Sequence, residues 1–451
     1  MLRESLSSQK AQGKILLIKM QTFSKPSSPR RILIHGINYA PELVGIGKYT
    51  GELGAYLASR GHRVTVLTAP PYYPQWRIHD YYRPQRWQRE ALEGVEVLRA
   101  PHYVPARVTS RGRLLQEVTF WSSCLFWWLS YLLGQPWDAL VAVCPPLHSG
   151  LIPGILARRR GIPLVIQVQD LQLDAARELG MLRQPGLLAL LTRLERFVFG
   201  QAQAVVTVSQ AMAARIHDKG IKPERLYVLP NWADLDAIRP GRRQNQFRKE
   251  LGLKSEVLVL YSGNLGEKQG LEIILEAAAL TRGDPGIKYL IAGEGAVKTR
   301  LAAQAENLGL ENLAWLPLQS IERFSLLLAA ADIHLVVQRQ KAADLLMPSK
   351  LANILAAGRP FVVTALPDTE FGQIISDSGA GILVPPENPA ALAQAVLALS
   401  ADPPARRRMG ARARRYAESY LGREEILACW ENLLSGLSEA GRFAKETNRR
   451  Y

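Results

Sequence analysis

Only three cysteines, Cys124, Cys144 and Cys429, occur in 451 residues. They are too few and too widely spaced for a disulfide scaffold or the familiar zinc spacings, and they fit a reducing compartment. No apolar run reaches the roughly 18 uninterrupted residues of a membrane span. The nearest, Val118 to Leu133, is broken by Ser122, Ser123 and Ser130. Acidic residues are scarce: 40 Asp plus Glu face 56 Lys plus Arg, a net charge of +16. That balance favours anionic lipid or phosphate-bearing partners. Without a zinc-finger, homeodomain or RNP signature, no nucleic-acid partner is expected. Residues 1–30 have no apolar h-region or small-residue cleavage site, so they are expected to be a disordered extension and the protein cytoplasmic. A hydrophobic fraction of 47% against 21% charged excludes a disordered chain.

What is present is an alternation of short β-branched runs with helical stretches. RILIHGI (Arg31 to Ile37), RVTVLTA (Arg63 to Ala69), ALVAV (Ala139 to Val143) and PLVIQVQ (Pro163 to Gln169) read as buried strands in the first half. EVLVLYSG (Glu256 to Gly263), KYLIAG (Lys288 to Gly293), IHLVVQ (Ile333 to Gln338) and FVVTA (Phe361 to Ala365) repeat the rhythm in the second. Strand and helix in alternation predict α/β domains with parallel sheets covered on both faces. A stretch rich in Pro, Asn, Asp and Arg divides the halves and reads as a linker. The expected architecture is two facing Rossmann-like domains, 31–230 and 250–404, with a linker at 231–249, C-terminal helices at 405–436 and a tail at 437–451.

In such sheets phosphate sites form where a strand ends, a glycine loop turns and backbone N–H groups point at the ligand. GINYAPELVGIGKYTGE (Gly36 to Glu52) is not a P-loop, because Glu42 stands where the first glycine belongs and Tyr49 follows Lys48. Gly45 and Gly47 there form a flexible loop or a plain tight turn. YSGNLGEKQG (Tyr261 to Gly270) places Gly263, Asn264 and Lys268 between a strand and a helix, where an ammonium can meet a diphosphate. IAGEGAVKTRL (Ile291 to Leu301) offers Glu294 as a hydrogen-bond acceptor for a nucleotide or as an ordinary turn charge. LMPSKLANILAAGRP (Leu346 to Pro360) puts Ser349 and Lys350 at the positive end of a helix.

Together these motifs have a recognisable order: a glycine loop near the start, Pro230-Asn231, G-N-L-x-x-K-x-G, G-x-G, and M-P-S-K-x-x-x-x-L-A-A-G-x-P. The chain resembles the retaining GT-B glycosyltransferases of family 4 over about residues 31–435, and within them the colanic-acid type. The resemblance implies a nucleotide-sugar donor, GDP- or UDP-linked, on the C-terminal domain and an acceptor on the N-terminal one. Lys268 matches the lysine that meets the donor diphosphate, and Lys350 with Ser349 shares that contact. The family's E-x7-E pattern falls on Leu345 and Asn353, so Asn353 takes the place of a ribose-binding glutamate. Asp170, after the strand PLVIQVQ, is the acceptor-side polar group and a catalytic candidate, or an N-cap for the next helix. Glu370 faces the donor sugar or is loop charge. No DxD motif is present, and a metal-independent reaction without cofactor is implied.

FWSSCLFWWLSYLL (Phe120 to Leu133) reads either as a buried core helix or as an interfacial one. Beside it lie Arg83, Arg86, Arg89, Arg99, Arg107, Arg111 and Arg113, a basic cluster suited to an anionic inner leaflet. The expected function is sugar transfer to a lipid-linked saccharide in exopolysaccharide or cell-surface polysaccharide biosynthesis, at the inner face of the plasma membrane. Two alternatives stay open: a nucleotide-sugar epimerase or hydrolase on the same fold, and a non-catalytic partner subunit.

Overall fold

The computed structural model describes residues 16–17, 28–83, 86–107, 109–178, 184–340 and 350–448. The chain divides into two compact units, Met1–Pro230 with Glu424–Tyr451, and Asn231–Arg423.

The first unit is built on nine strands: β1 Leu16–Leu17, β2 Arg31–His35, β3 Arg63–Thr68, β4 Gln88–Leu92, β5 Val95–Arg99, β6 Ala139–Cys144, β7 Leu164–Val168, β8 Ala204–Thr207 and β9 Leu226–Val228. Their order is β1-β9-β8-β7-β6-β2-β3-β5-β4. Every pairing is parallel except the edge pair β4–β5. Strands β6 and β7 are buried throughout, as expected for β-branched runs covered on both faces. The second unit carries β10 Val257–Ser262, β11 Ile287–Ala292, β12 Leu313–Leu316, β13 Ile333–Val336, β14 Phe361–Thr364 and β15 Gly381–Val384. They form an all-parallel sheet in the order β12-β11-β10-β13-β14-β15.

Several details differ from the reading of the sequence. Leu16–Leu17 pairs with β9, and Arg30 is buried and bonded to Glu439 at 2.9 Å, so the stretch before residue 31 contributes to the first unit. The arginine-rich 231–249 stretch is packed, not an open linker. Arg248 is fully buried, and Arg243 and Arg248 converge on Asp332 at 2.5 and 3.0 Å. Residues 437–448, expected as a tail, continue the helix Arg423–Asn448. That helix docks on the first unit through Glu431, which accepts from Arg60 at 3.0 Å and pairs with His62 at 3.3 Å.

The charge excess is also partly internal. Arg99 is buried, donates to the carbonyls of Ala69 and Ala40 at 2.9 and 2.7 Å, and pairs with Glu90. It therefore belongs to the core and not to a basic surface. Arg414 does similar work in the second unit, donating to Ile238 O and Ala356 O at 2.9 and 3.0 Å.

Candidate active site

In the second unit the chain runs outward from β10 through β11 to β12, then returns to β13 and runs the other way. Open α/β sheets bind ligands in the crevice beyond the strand ends at such a reversal. The loops leaving β10 and β13 border it.

The loop after β10 is held by the loop after β11. Gly263 N donates to Ala292 O at 2.9 Å, Leu265 N to Glu294 O at 2.9 Å, and Val297 N to Leu265 O at 3.2 Å. Gly293 and Gly295 have φ of +155° and +157°, and a Cβ on them would lie 1.9 Å from Gly263 O and 2.2 Å from Leu265 O. These glycines exist so that two backbones can touch. Gly263, at φ +143°, instead turns its open side to Lys350, whose Nζ lies 3.6 Å from where a Cβ would be.

Lys350 opens the helix Lys350–Ala356. Its Nζ is buried, has no hydrogen-bond partner among the described residues, and sits 3.8 Å from the centroid of the Tyr261 ring. Burial pulls the amine down to about 7. Tyr261 donates its hydroxyl to Asn264 O at 2.8 Å, which fixes the ring beneath the amine. Asn353, three residues along the same helix, has a buried Oδ1 that also lacks a partner among the described residues. Lys268 is half-buried in the turn Glu267–Gln269. The acidic groups around it are engaged elsewhere, Glu267 and Glu272 with Arg300 at 3.1 and 2.8 Å.

In the first unit the reversal lies between β2 and β6. The loop after β2 is organised by Glu42. Its Oε1 accepts from Tyr72 N and Tyr73 N at 3.1 and 3.0 Å, and its Oε2 from Asn38 at 2.9 Å. Burial raises this carboxyl to about 7, against the hydrogen bonds that favour its charged form.

Models of known families match both units. The Glycosyl transferase 4-like domain matches residues 44–232, and Glycosyl transferases group 1 matches residues 243–416. WcaI of Escherichia coli (strain K12), named as a glycosyl transferase of colanic acid biosynthesis, is 39% identical over 414 residues, covering 90% of this chain and 100% of that one. The chain belongs to the group 1 glycosyltransferases. Its fold is that of the GT-B enzymes. A sucrose-phosphate synthase from Thermosynechococcus elongatus superposes with a TM-score of 0.73 at 18% identity, covering 91% of this chain and 100% of the other. HepE of Anabaena, solved with UDP and glucose, gives 0.67 at 16%, covering 90% and 100%.

For this glycosyltransferase, the residues singled out in the sequence fall into two groups. Gly263, Asn264, Lys268, Lys350 and Asn353 belong to the loops and helix at the reversal of the second sheet, and Tyr261 joins them. Glu294 has an exposed side chain that pairs with Lys298 at 2.8 Å. Glu370 is half-buried in the first turn of the helix Glu370–Ser378 after β14, capped by Thr369. Ser349 lies outside the described residues.

Asp170 stands half-buried just past the end of β7, at the C-terminal edge of the first sheet. Its neighbour Asp174 is structural, paired with the buried-side ammonium of Lys219. Gly45 and Gly47 also lie in the first unit. A Cβ on Gly45, at φ +67°, would meet the Tyr73 ring at 3.1 Å, and one on Gly47 would strike Glu42 Oε2 at 2.4 Å. Both glycines thus serve the packing of their own loop. The sequence reading passed over Glu42 and Tyr261. A lone acid in the apolar run NYAPELVG was the one signal for Glu42; nothing local marks Tyr261.

Proposed function

We propose that this enzyme transfers a sugar, with retention of anomeric configuration, from a GDP- or UDP-sugar to a lipid-linked saccharide in exopolysaccharide or cell-surface polysaccharide biosynthesis. The observation that carries the donor assignment is the buried amine of Lys350, without a hydrogen-bond partner among the described residues, against the Gly263 loop at the reversal of the second sheet. The colanic acid role in the name of the 39% identical relative supports the pathway class. In this reading the bond from the anomeric carbon to the β-phosphate oxygen breaks with its electron pair on the phosphate. Lys268 and Lys350 stabilise that developing charge, so no metal is required. The acceptor oxygen bonds the same face of the carbon and gives its proton to the departing phosphate. Asp170 orients the acceptor side.

Incubation with a panel of nucleotide-sugars and a lipid-linked saccharide, in EDTA, tests this. Transfer to the acceptor supports the reading. Turnover without acceptor would instead favour an epimerase or hydrolase, and a folded, inert protein a partner subunit.

A membrane-facing side is the second part of the proposal. The helix Ser110–Ser130 buries Gln116, Phe120, Cys124 and Trp128, at a spacing of four. Its other side exposes Leu114, Leu115, Val118, Phe126 and Leu129, the last 74% exposed, with Trp87 stacked on Phe126 at 5.0 Å. The sequence offered Trp121, Trp127, Trp128 and Tyr131 either as an interfacial set or as part of a buried core helix, and three of them are engaged within the protein. Trp128 meets His35, Trp127 donates to Arg99 O at 3.0 Å, and Tyr131 bonds Glu96. The aliphatic stripe and the exposed Arg107, Arg111 and Arg113 suit an anionic leaflet. Among the described residues no helix is long and apolar enough to cross a membrane.

A further inference from the structure

We propose that Lys350 couples donor binding to the uptake of one proton: its amine rests neutral against the Tyr261 ring in the empty protein, and the incoming diphosphate draws a proton onto it. This rests on the donor reading of the second unit.

Three features of the geometry point to it. The Nζ is buried and makes no hydrogen bond to the described residues. The face of Tyr261, 3.8 Å away, is its one compensating contact among the described residues, and a ring face replaces only part of an ammonium's lost hydration. Beside the nitrogen runs the side-chain-free backbone of Gly263, whose missing Cβ would lie 3.6 Å from Nζ, so the amine adjoins the loop proposed to hold the diphosphate.

Among the described residues no carboxylate is bonded to the amine. Tyr261, on β10, is neutral because burial pushes its phenol up, and its hydroxyl is already given to Asn264 O. Asn353 on the amine's own helix is uncharged. His334 on β13 is bonded to Leu328 O at 3.1 Å and kept neutral by burial. Arg414, on the helix Pro403–Tyr420, is spent on Ala356 O and Glu418. The Gly263 loop adds Lys268, a second cation. A diphosphate brings negative charge to the amine, and opposite charge favours the protonated form.

The sign follows. Near pH 6 the amine is already charged and binding takes up almost no proton. Above its resting value of about 7 it is neutral, and each further pH unit weakens the donor about tenfold until the bound form itself titrates.

Calorimetric titration of UDP-glucose and GDP-mannose, in buffers of different ionisation enthalpy, measures the coupling directly. Neither diphosphate diester titrates near pH 7. About 0.9 proton should enter per nucleotide one pH unit above the resting value. Lys350→Met, which removes the buried amine and keeps the stem, should bind more weakly, with no uptake and no pH slope. Tyr261→Phe keeps the ring and should keep the uptake. Nucleotide binding by the unmodified protein with no proton uptake overturns the proposal and leaves the donor site standing. Failure of every nucleotide-sugar to bind removes the donor site and the coupling together.

Discussion

A Cβ on Gly293 would sit 1.9 Å from the carbonyl oxygen of Gly263. The two glycines thus depend on each other: one must lack a side chain so that the other's loop can be held at the crevice. Gly293→Ala should destabilise the second unit by about 2–4 kcal/mol, from strain at φ +155° and displaced backbone. Denaturant midpoints check this, and donor affinity should fall with stability.

Glu42 is the corresponding fastener in the first unit. Its raised value of about 7 means that the folded protein binds a proton the unfolded chain has released between the ordinary carboxyl range and pH 7. Its contribution is therefore full below pH 4.5 and is lost as pH rises through 7. Glu42→Gln keeps an acceptor for Tyr72 N and Tyr73 N and should abolish that slope in thermal melts. Glu42→Ala strands those N–H groups and should cost about 2–3 kcal/mol at any pH.

Acid should act in the opposite direction through the buried histidines. Burial lowers His35, His102 and His334 to about 3 and His148 to about 4. Each gains a proton on unfolding below pH 6.5, so stability falls as pH drops from there towards 3, by at most about 1.4 kcal/mol per pH unit per group. Urea midpoints across this range should decline more steeply in the native protein than in a His334→Gln variant.

The exposed stripe of the helix Ser110–Ser130 predicts a loss of lipid binding without a loss of fold. Leu115→Asp with Leu129→Asp should abolish flotation with anionic liposomes and change stability by less than about 0.5 kcal/mol per site. Binding of the unmodified protein should weaken with salt. Unchanged flotation of the double variant would remove the proposed lipid face.

The longer central strands of both sheets were legible, because a continuous β-branched run such as LVIQV fits between two covered faces, whereas Leu16–Leu17 and Leu226–Val228 are too short to show such a run. Gln88–Leu92 was not legible either, since an edge strand with alternating exposure has only one neighbour to satisfy and little apolar signature. The candidate site was half legible. Lys268 and Lys350 stood out by their place after glycine turns, whereas the Tyr261 ring under Lys350 is a contact between distant stretches of chain. The glycine motifs also have a packing role that no motif shows: Gly45, Gly47, Gly293 and Gly295 lie against Tyr73, Glu42 and the backbone of the Gly263 loop. Glu294 and Arg99 show the same gap, since sequence gives the charge and only tertiary structure shows which partner has taken it.

The most direct measurement is kcat/KM for transfer from the nucleotide-sugar that supports turnover, in Lys268→Ala and Lys350→Ala. Each should lose about 30- to 1000-fold, equivalent to roughly 2–4 kcal/mol of stabilisation of the departing diphosphate, with secondary structure retained. Undiminished kcat/KM in both variants would contradict a leaving group held by these two lysines.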